Sequence, residues 1–450
     1  MSLFALLFVI VFFGGVAVTL FYSGAAAFIL YQLVYFLNPD DRWWSAYIPG
    51  ISYSLFTALL MMAMLGLGYR KYSRISPWSH QPIIKWLIAL VISYFVANLW
   101  ALNPQAHHEF TIYYIKMIVI ILVAYKLIHS ERMLDASIWA YIIGATYIGY
   151  LATITGRNSG NRVEGIGMAD APEANGVAAA LVPAGALLMY YAWLGSWKVK
   201  LLCVACGALI ANGLVLINSR GAFLGVVVGS GAYLCCMMFS EYRRKGQRAM
   251  AVVIAAAGLS GALYVTDAQF WERMQTLQDL ESRESGSGRV TYWLTTFDML
   301  EDHPMGMGVQ GYNQLASLYM DAETRGGVVN RSVHSLWFQG LSEVGPVGFF
   351  FFIALLVSLY KISEKAKQFV VAEGDNTQYF KLLALQCGLI SYLVAGTFIN
   401  QFRAEILYWM ILLTASAVNV YYLQRASETE QTPAAYQRRI RSSARKAKTI

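Results

Sequence analysis

Two short segments of the sequence place an arginine shortly after a serine that could begin a helix. Ser219 precedes Arg220, and Ser287 lies two residues before Arg289. Serine is a favoured N-cap residue, and the free N–H groups of a helix N-terminus attract anions. A guanidinium group adds a planar cation that fits the oxygens of a phosphate. Both segments therefore predict a phosphate site; a snorkelling Arg220 and a solvated Arg289 are the alternatives.

A third segment, residues 330–337, offers a possible base. Ser332 could cap a helix whose first turn holds His334. The positive end of the helix dipole disfavours imidazolium, so we expect a neutral imidazole there. Neutral imidazole is the form that a general base requires. An ordinary interfacial hydrogen bond is the alternative role for His334.

The elements that must position these residues are strongly apolar. Of the 450 residues, 57% are hydrophobic and 13% are charged, against about 25% charged in a soluble domain. We therefore predict an all-α, polytopic membrane protein with about twelve spans of about twenty residues each. Segment 22–37 is predicted to be a helix lying in the membrane interface. The predicted spans are 3–21, 46–68, 82–102, 108–128, 134–154, 173–194, 198–217, 219–240, 248–266, 336–360, 379–399 and 403–424.

The distribution of basic residues predicts which segments face the cytoplasm. If the N-terminus is cytoplasmic, the inside segments hold most of the lysines and arginines, as the positive-inside rule requires. This accounts for the net charge of +8 without nucleic acid as a partner. The five cysteines fall within apolar spans, so no disulfide framework is expected. The predicted organisation is 1–266 with nine spans, 267–335 as a periplasmic loop with amphipathic helices, 336–424 with three spans, and 425–450 as a basic cytoplasmic tail.

The long loop contains one amphipathic helix by its pattern. Within residues 289–302, apolar side chains recur at helical spacing. We predict that this apolar face rests on the helix bundle. Its members are Val290, Trp293, Leu294, Phe297 and Leu300.

Arginine, rather than a metal ion, is the predicted substrate ligand of the outward segments. Topology disfavours arginine there, so each one needs another reason. With Ser219, we predict that Arg162, Arg331 and Arg403 bind substrate. No His, Asp and Glu cluster has metal-ligand spacing, such as His-Glu-x-x-His. We therefore expect no metal and no cofactor.

A transporter or flippase is a competing hypothesis from another functional class. Transporters carry ionisable residues near the middle of the membrane and broken helices related by repeats. Lys116 is the one charge well inside a predicted span. It lies near the outer end, where its side chain could reach water, so it gives this hypothesis little support.

Together, the segments around Arg220, Arg289 and His334 resemble those of O-antigen ligases. The resemblance lies in Ser-Arg-Gly at residues 219–221, Gly-Arg-x-x-x-Trp at 288–293, and Val-His-Ser at 333–335. Residues 302–308 are similar to the Pro-x-Gly-x-Gly loop of that family. O-antigen polymerases and protein O-oligosaccharyltransferases share these motifs, so both stay open as alternatives.

The resemblance implies a metal-independent, inverting glycosyltransferase of the membrane-embedded type C class. The implied donor is a glycan on undecaprenyl pyrophosphate, and the implied acceptor is a sugar hydroxyl of lipid A–core. The family's essential arginines correspond to Arg220 and Arg289, and its histidine to His334, which are the implied catalytic residues. Family loops vary around Arg162. The implied location is the bacterial inner membrane, with the site facing the periplasm and the bilayer as a partner.

Cysteine labelling would test the predicted topology. After removal of the five natural cysteines, single cysteines at 280 and 435 should react with an impermeant reagent from opposite sides of the membrane, because the charge pattern puts 267–335 outside and the tail inside. The measurement is labelling of intact and of opened cells. Labelling of both positions from one side would contradict this topology.

Overall fold

The computed structural model describes residues 2–275 and 286–431, and the regular secondary structure of these residues is helical, without a β-strand. Residues 432–450 of the predicted tail and 276–285 of the predicted loop lie outside the described residues. A five-residue π-helical turn joins the last two helices. The helices are α1 (Leu3–Phe21), α2 (Ala26–Leu37), α3 (Tyr53–Leu67), α4 (Tyr69–Ile75), α5 (Ile83–Ala97), α6 (Pro104–Leu127), α7 (Glu131–Thr155), α8 (Ala174–Leu181), α9 (Ala184–Leu194), α10 (Trp197–Ile217), α11 (Arg220–Phe239), α12 (Gln247–Val265), α13 (Ala268–Gln275), α14 (Gly286–Asp302), α15 (Gly311–Tyr319), α16 (Leu336–Ala372), α17 (Asn376–Gly396), α18 (Glu405–Val418) and α19 (Gln424–Gln431).

Ten helical segments in the described part of the chain are long and apolar enough to cross a membrane, or eleven if one bent pair counts as a span. All ten coincide with predicted spans. The other two predicted spans form shorter helices: α5 has fifteen residues, and α3 has fifteen before the chain bends by 84° into α4. Gly68 stands at that bend. The structure therefore supports a multi-pass membrane protein with fewer full-length spans than predicted.

Helix α2 is packed inside the bundle, so its predicted position in the interface is wrong. Its residues Phe28 and Phe36 are fully buried. Phe36 fills a notch at Gly144 of α7, where a methyl group would clash with the ring. Tyr35 packs edge-on against Trp409 of α18, with 4.8 Å between ring centroids. A helix that is apolar on nearly every side is suited to this central place.

Small residues bring α11 and α17 together, because glycines at positions 221, 225 and 229 form a seam that allows close helix packing. A Cβ at Gly225 would lie 2.6 Å from the Ser391 carbonyl oxygen, and one at Gly229 would clash with the Ser391 side chain. At the end of the seam, Gly221 faces Phe398. The seam thus fixes the helix that carries Arg220 against the bundle core.

Helix α16 is broken at Gly345, and the break receives the Pro-x-Gly-x-Gly loop. Gly345 has φ 65° and ψ −177°, and Pro346 follows it. Pro346 has no N–H, so the Ser342 carbonyl loses its helical partner. The N–H of Met307 donates to that carbonyl at 2.8 Å, and the N–H of Gly308 donates to the Glu343 carbonyl at 3.0 Å. The loop therefore satisfies the carbonyl groups that the break exposes.

A buried ion pair stands directly beside this break. Arg403 grips Glu343 with two hydrogen bonds, Nε to Oε2 at 3.0 Å and Nη2 to Oε1 at 3.2 Å. Tyr94 and Gln339 donate to the same carboxylate. Because Glu343 is already bound on both oxygens, its charge and that of Arg403 are satisfied within the bundle.

His107 connects the loop to the membrane helices. The Val309 N–H donates to its Nδ1 at 2.9 Å, and its Nε2 lies 2.9 Å from the Tyr94 carbonyl oxygen. An amide can only donate and a carbonyl can only accept, so the ring is the neutral tautomer with hydrogen on Nε2. His107 is thus a buried structural residue.

Substitution of Gly306 tests the contact between the loop and the break. Gly306 and Gly326 both have positive φ, but a Cβ at Gly306 would lie 2.5 Å from the Gly345 nitrogen, whereas one at Gly326 meets nothing within 4 Å. Both alanine variants carry the strain of positive φ, roughly 1–2 kcal/mol. Gly306→Ala should lose about 2 kcal/mol more, through two weakened hydrogen bonds. Thermal unfolding in detergent measures the difference. Equal melting temperatures for the two variants would contradict the docking described here.

Candidate functional site

The candidate site lies at the end of the bundle where α10 ends and α11 and α16 begin. Helices α14 and α15 pack on each other and on α16 there. Their shared core contains Tyr292, Met299 and Tyr312, with Val333 from the segment before α16. This outer layer sets the positions of Arg289 and His334.

Helix α14 is anchored by only part of the predicted apolar face, in which Trp293 and Phe297 contact Phe338 of α16. Trp293 stacks on Phe338 of α16 at 5.6 Å, as expected. However, Val290, Leu294 and Phe297 are 45%, 59% and 51% exposed. The buried face instead contains two threonines beside Tyr292 and Met299. The prediction followed the largest apolar residues, but the polar Thr296 bonds its hydroxyl to the Tyr292 carbonyl and so fits the interior.

Arg220 and Arg289 approach each other beside Phe398. Arg220 is the first residue of α11, and Ser219 occupies the N-cap position without a capping bond from its hydroxyl. Arg289 lies in the first turn of α14, with its guanidinium carbon 5.9 Å from the centre of the Phe398 ring. Burial lowers the pKa of Arg289, and positive charges on Arg220, Arg331 and Arg273 lower it further. Arg220 and Arg289 are therefore close enough for their charges to interact.

Ser287, predicted to cap α14, falls within the first turn of that helix. Its side chain lies outside the described part of the structure. Because the N-cap position precedes Gly286, the predicted cap at Ser287 is wrong.

His334 joins the same group of charges, but not through a helix dipole. Helix α16 begins at Leu336 with Ser335 at the N-cap position, so the predicted cap at Ser332 and the first-turn place of His334 are wrong. His334 has φ 50°, and its Nε2 lies 3.2 Å from the Ser332 hydroxyl. Burial lowers its pKa to about 4, aided by Arg331 and Arg289. The imidazole is neutral as predicted, for another reason.

Arg331 approaches His334 across the ring of Tyr292. Its guanidinium carbon lies 5.0 Å from the centre of that ring, whose centroid is 6.4 Å from that of His334. The Arg331 Nε is buried without a hydrogen-bond partner, and so is the indole N–H of Trp293. Buried donors of this kind need an acceptor.

No carboxylate in the described part of the chain neutralises Arg289 or Arg331 by an ion pair or hydrogen bond. Partly buried like charges repel each other and lose hydration. A bound anion with several oxygens would offset both costs. The arrangement is therefore suited to a phosphate or pyrophosphate group.

The other two predicted arginines occupy different surroundings. Arg162 donates from Nη2 to the Asn175 side chain at 3.0 Å, and its Nε lies 3.8 Å from a Glu164 oxygen. Burial lowers its pKa, followed by the charge of Arg273, so it borders the cluster. Arg403 instead pairs with Glu343 beside the break in α16. The structure thus brings Arg162 near the site but engages Arg403 elsewhere.

Arg273 is the charged residue of this cluster that sequence reasoning missed. It lies in the last turn of α13, and its charge lowers the pKa values of both Arg162 and Arg289. Phe270 anchors α13 by packing against Phe223 of α11, with 5.4 Å between centroids. The argument from topology applies to Arg273 as well, because it also lies in a segment predicted to face outward, next to aromatic residues.

Within the described residues, no group of three or more His, Cys, Asp or Glu side chains is placed to hold a metal ion. The charged groups around His334 are arginines.

Titration of His334 tests the electrostatics of the site. A lowered pKa means that imidazole stays neutral as the pH falls, until about pH 4. Arg331→Gln removes the larger of the two repelling charges, so the pKa should rise towards its usual value near 6.5. Arg325→Gln, in the same loop but bonded to backbone carbonyls, is the control and should leave the pKa unchanged. The measurement is NMR of histidine-labelled protein, in which only six rings contribute. A pKa near 6.5 in the unsubstituted protein would contradict the described burial.

Comparison with known proteins identifies a matching family model. Residues 205–353 match the family model described as O-antigen ligase. The matched segment includes Arg220, Arg289 and His334, and it ends just after the break in α16. No curated protein matches the chain. The family match indicates a glycosyltransferase-like enzyme of the O-antigen ligase and polymerase group. It confirms the resemblance predicted from the motifs and supports membership of this chain in the O-antigen ligase superfamily.

Proposed function

We propose that this protein transfers a glycan from undecaprenyl pyrophosphate to a sugar hydroxyl of lipid A–core, at the periplasmic face of the bacterial inner membrane. The observation that carries the proposal is the cluster of partly buried arginines beside a neutral histidine. Arg289 and Arg331 form no ion pair or hydrogen bond with a carboxylate in the described part of the chain. Arg289 and Arg331 therefore have charge available for a substrate anion.

The arginines would act on the leaving group. Glycosyl transfer passes through an oxocarbenium-like state in which negative charge builds up on the departing group. Here that group is pyrophosphate, and Arg220 and Arg289 would stabilise it as the bond to the anomeric carbon breaks. Removal of one well-placed donor to such a charge costs roughly 3–4 kcal/mol in comparable sites. Ser219, Arg162 and Arg331 would add contacts to the phosphate or glycan.

His334 would act on the acceptor. Its imidazole takes the proton from the attacking hydroxyl while that oxygen bonds to the anomeric carbon, opposite the departing pyrophosphate, so the configuration inverts. General-base assistance of this kind contributes roughly 10²–10⁴-fold. The Ser332 hydroxyl now lies 3.2 Å from Nε2. An acceptor hydroxyl would have to replace it at that nitrogen.

Arg403 was predicted as a substrate ligand, and its contacts favour an indirect role. It holds Glu343 next to the carbonyl groups that receive the Pro-x-Gly-x-Gly loop. That loop leads from α14 to α15. Arg403 would therefore influence the substrate by positioning the outer layer.

Transfer assayed with competing acceptors tests the acceptor assignment. Purified protein is supplied with glycan on undecaprenyl pyrophosphate and with lipid A–core, free glycan and a peptide together. We expect product on lipid A–core. Product only on glycan would indicate an O-antigen polymerase, and product only on peptide a protein O-oligosaccharyltransferase. Movement of intact donor across vesicles without transfer would contradict the enzyme assignment and favour a transporter.

Matched variants test the residue roles in the same assay. Arg289→Lys keeps the charge but loses the forked geometry, so transfer should fall by about 10²–10³-fold. His334→Ala should slow single-turnover transfer while affinity for undecaprenyl pyrophosphate stays nearly unchanged. Arg325→Lys, in the same loop, is the control and should keep full activity. Loss of donor affinity in His334→Ala, at an unchanged rate in the bound complex, would make His334 a phosphate ligand and not a base.

A further inference from the structure

An apolar groove lies between α16, α17 and α18. It has a volume of about 270 Å³ and is lined by Leu356, Val357, Leu389, Ile390 and Leu393, among others. Val357 and Ile390 are 45% and 40% exposed, so the groove opens on the outer surface of the bundle. In a membrane protein that surface faces lipid.

The groove has a polar end. Ser363 lines it and is fully buried, and its hydroxyl has no hydrogen-bond partner. Gln386 closes the same end and donates to Glu364 at 3.2 Å, while Lys367 pairs with Glu364 at 2.7 Å. A hydroxyl without a partner at the end of an apolar groove is suited to a ligand with an apolar body and a polar group.

Two lysines continue the groove along one face of α16. Val357, Lys361 and Lys365 are spaced by four residues, so they share a helix face. Both lysines are exposed, and neither forms an ion pair or hydrogen bond within the described part of the chain. The groove therefore leads to two unpaired positive charges.

The depth of these residues indicates which leaflet supplies the ligand. From Pro346, after the break, to Ser363 the helix rises about 26 Å, close to the ~30 Å thickness of the hydrocarbon core. The lysines thus lie at the headgroup level of the leaflet opposite the candidate site. The glycan donor of the proposed function has its pyrophosphate at the other surface.

We propose that this groove binds an anionic phospholipid of the leaflet opposite the candidate site. One acyl chain occupies the groove, a carbonyl oxygen of the lipid accepts from the Ser363 hydroxyl, and the headgroup phosphate contacts Lys361 and Lys365. Basic residues next to a groove between helices favour anionic over zwitterionic headgroups.

Native mass spectrometry of the full chain, titrated with phosphatidylglycerol or phosphatidylcholine, tests the headgroup contact. The double variant Lys361→Gln/Lys365→Gln should lose about thirtyfold in affinity for phosphatidylglycerol, the product of two lysine contacts at a charged surface, and should bind phosphatidylcholine as before. The control is Lys198→Gln/Lys200→Gln, at the same end of the bundle by helix direction, and it should retain the affinity. Equal binding by both double variants overturns the proposal.

A groove-filling variant tests the acyl chain. Ile390→Trp should reduce retention of phosphatidylglycerol. If it instead leaves that lipid bound and removes added undecaprenyl phosphate, the groove holds the polyprenyl chain and the proposal fails. A change from dimer to monomer without loss of lipid would identify a second copy as the occupant, which also overturns it. Should Ile390→Trp not fold, the exposed lysine variants decide alone. Transfer activity is not the readout, so failure of the proposed function would leave this result interpretable.

Discussion

The carbonyl groups exposed where α16 breaks are the constraint on which the outer layer depends. Backbone polar groups inside a membrane protein must be satisfied by protein, because lipid offers no hydrogen bonds. The amides of Met307 and Gly308 satisfy these groups by donating to the carbonyl oxygens of Ser342 and Glu343. Those two bonds join the segment after α14 to the segment after His334. The position of Arg289 relative to His334 therefore follows from how one helix is interrupted.

The charged groups beside the break in α16 and those around His334 are arranged in opposite ways. Beside the break, Arg403 meets Glu343 in a bidentate pair with additional donors from Tyr94 and Gln339. Such a pair satisfies the buried charge and holds the geometry. Around His334, the arginines face each other and an imidazole whose protonation they oppose. The first group satisfies its charges within the protein, whereas a bound anion would stabilise the second.

Most of the membrane-spanning helices could be predicted from the sequence, because an apolar run of about twenty residues rarely forms anything other than a spanning helix. The predictions failed where the position of a segment depends on packing against residues that are distant in sequence. Segment 22–37 has the aromatic composition of an interfacial helix, but the notch at Gly144 and the ring of Trp409 are far away in sequence. The face of α14 follows from threonine bonds and from Phe338, again distant. His334 was identified from residue type and neighbours, but the start of α16 depends on the left-handed backbone at that residue, which only the folded chain shows. Arg273 could not be identified from the sequence, because its place in the cluster depends on the packing of α13 against α11.

The glycine seam between α11 and α17 has a mechanical consequence. The two helices approach so closely at Gly225 and Gly229 that no lipid chain can enter between them. When a bilayer thickens or thins, its helices tilt to match, and this pair must tilt as one rigid body. Arg220 at the start of α11 and Phe398 just after α17 then move together, and Arg289 rests on Phe398. Changes in membrane thickness should therefore leave the spacing of Arg220 and Arg289 unchanged.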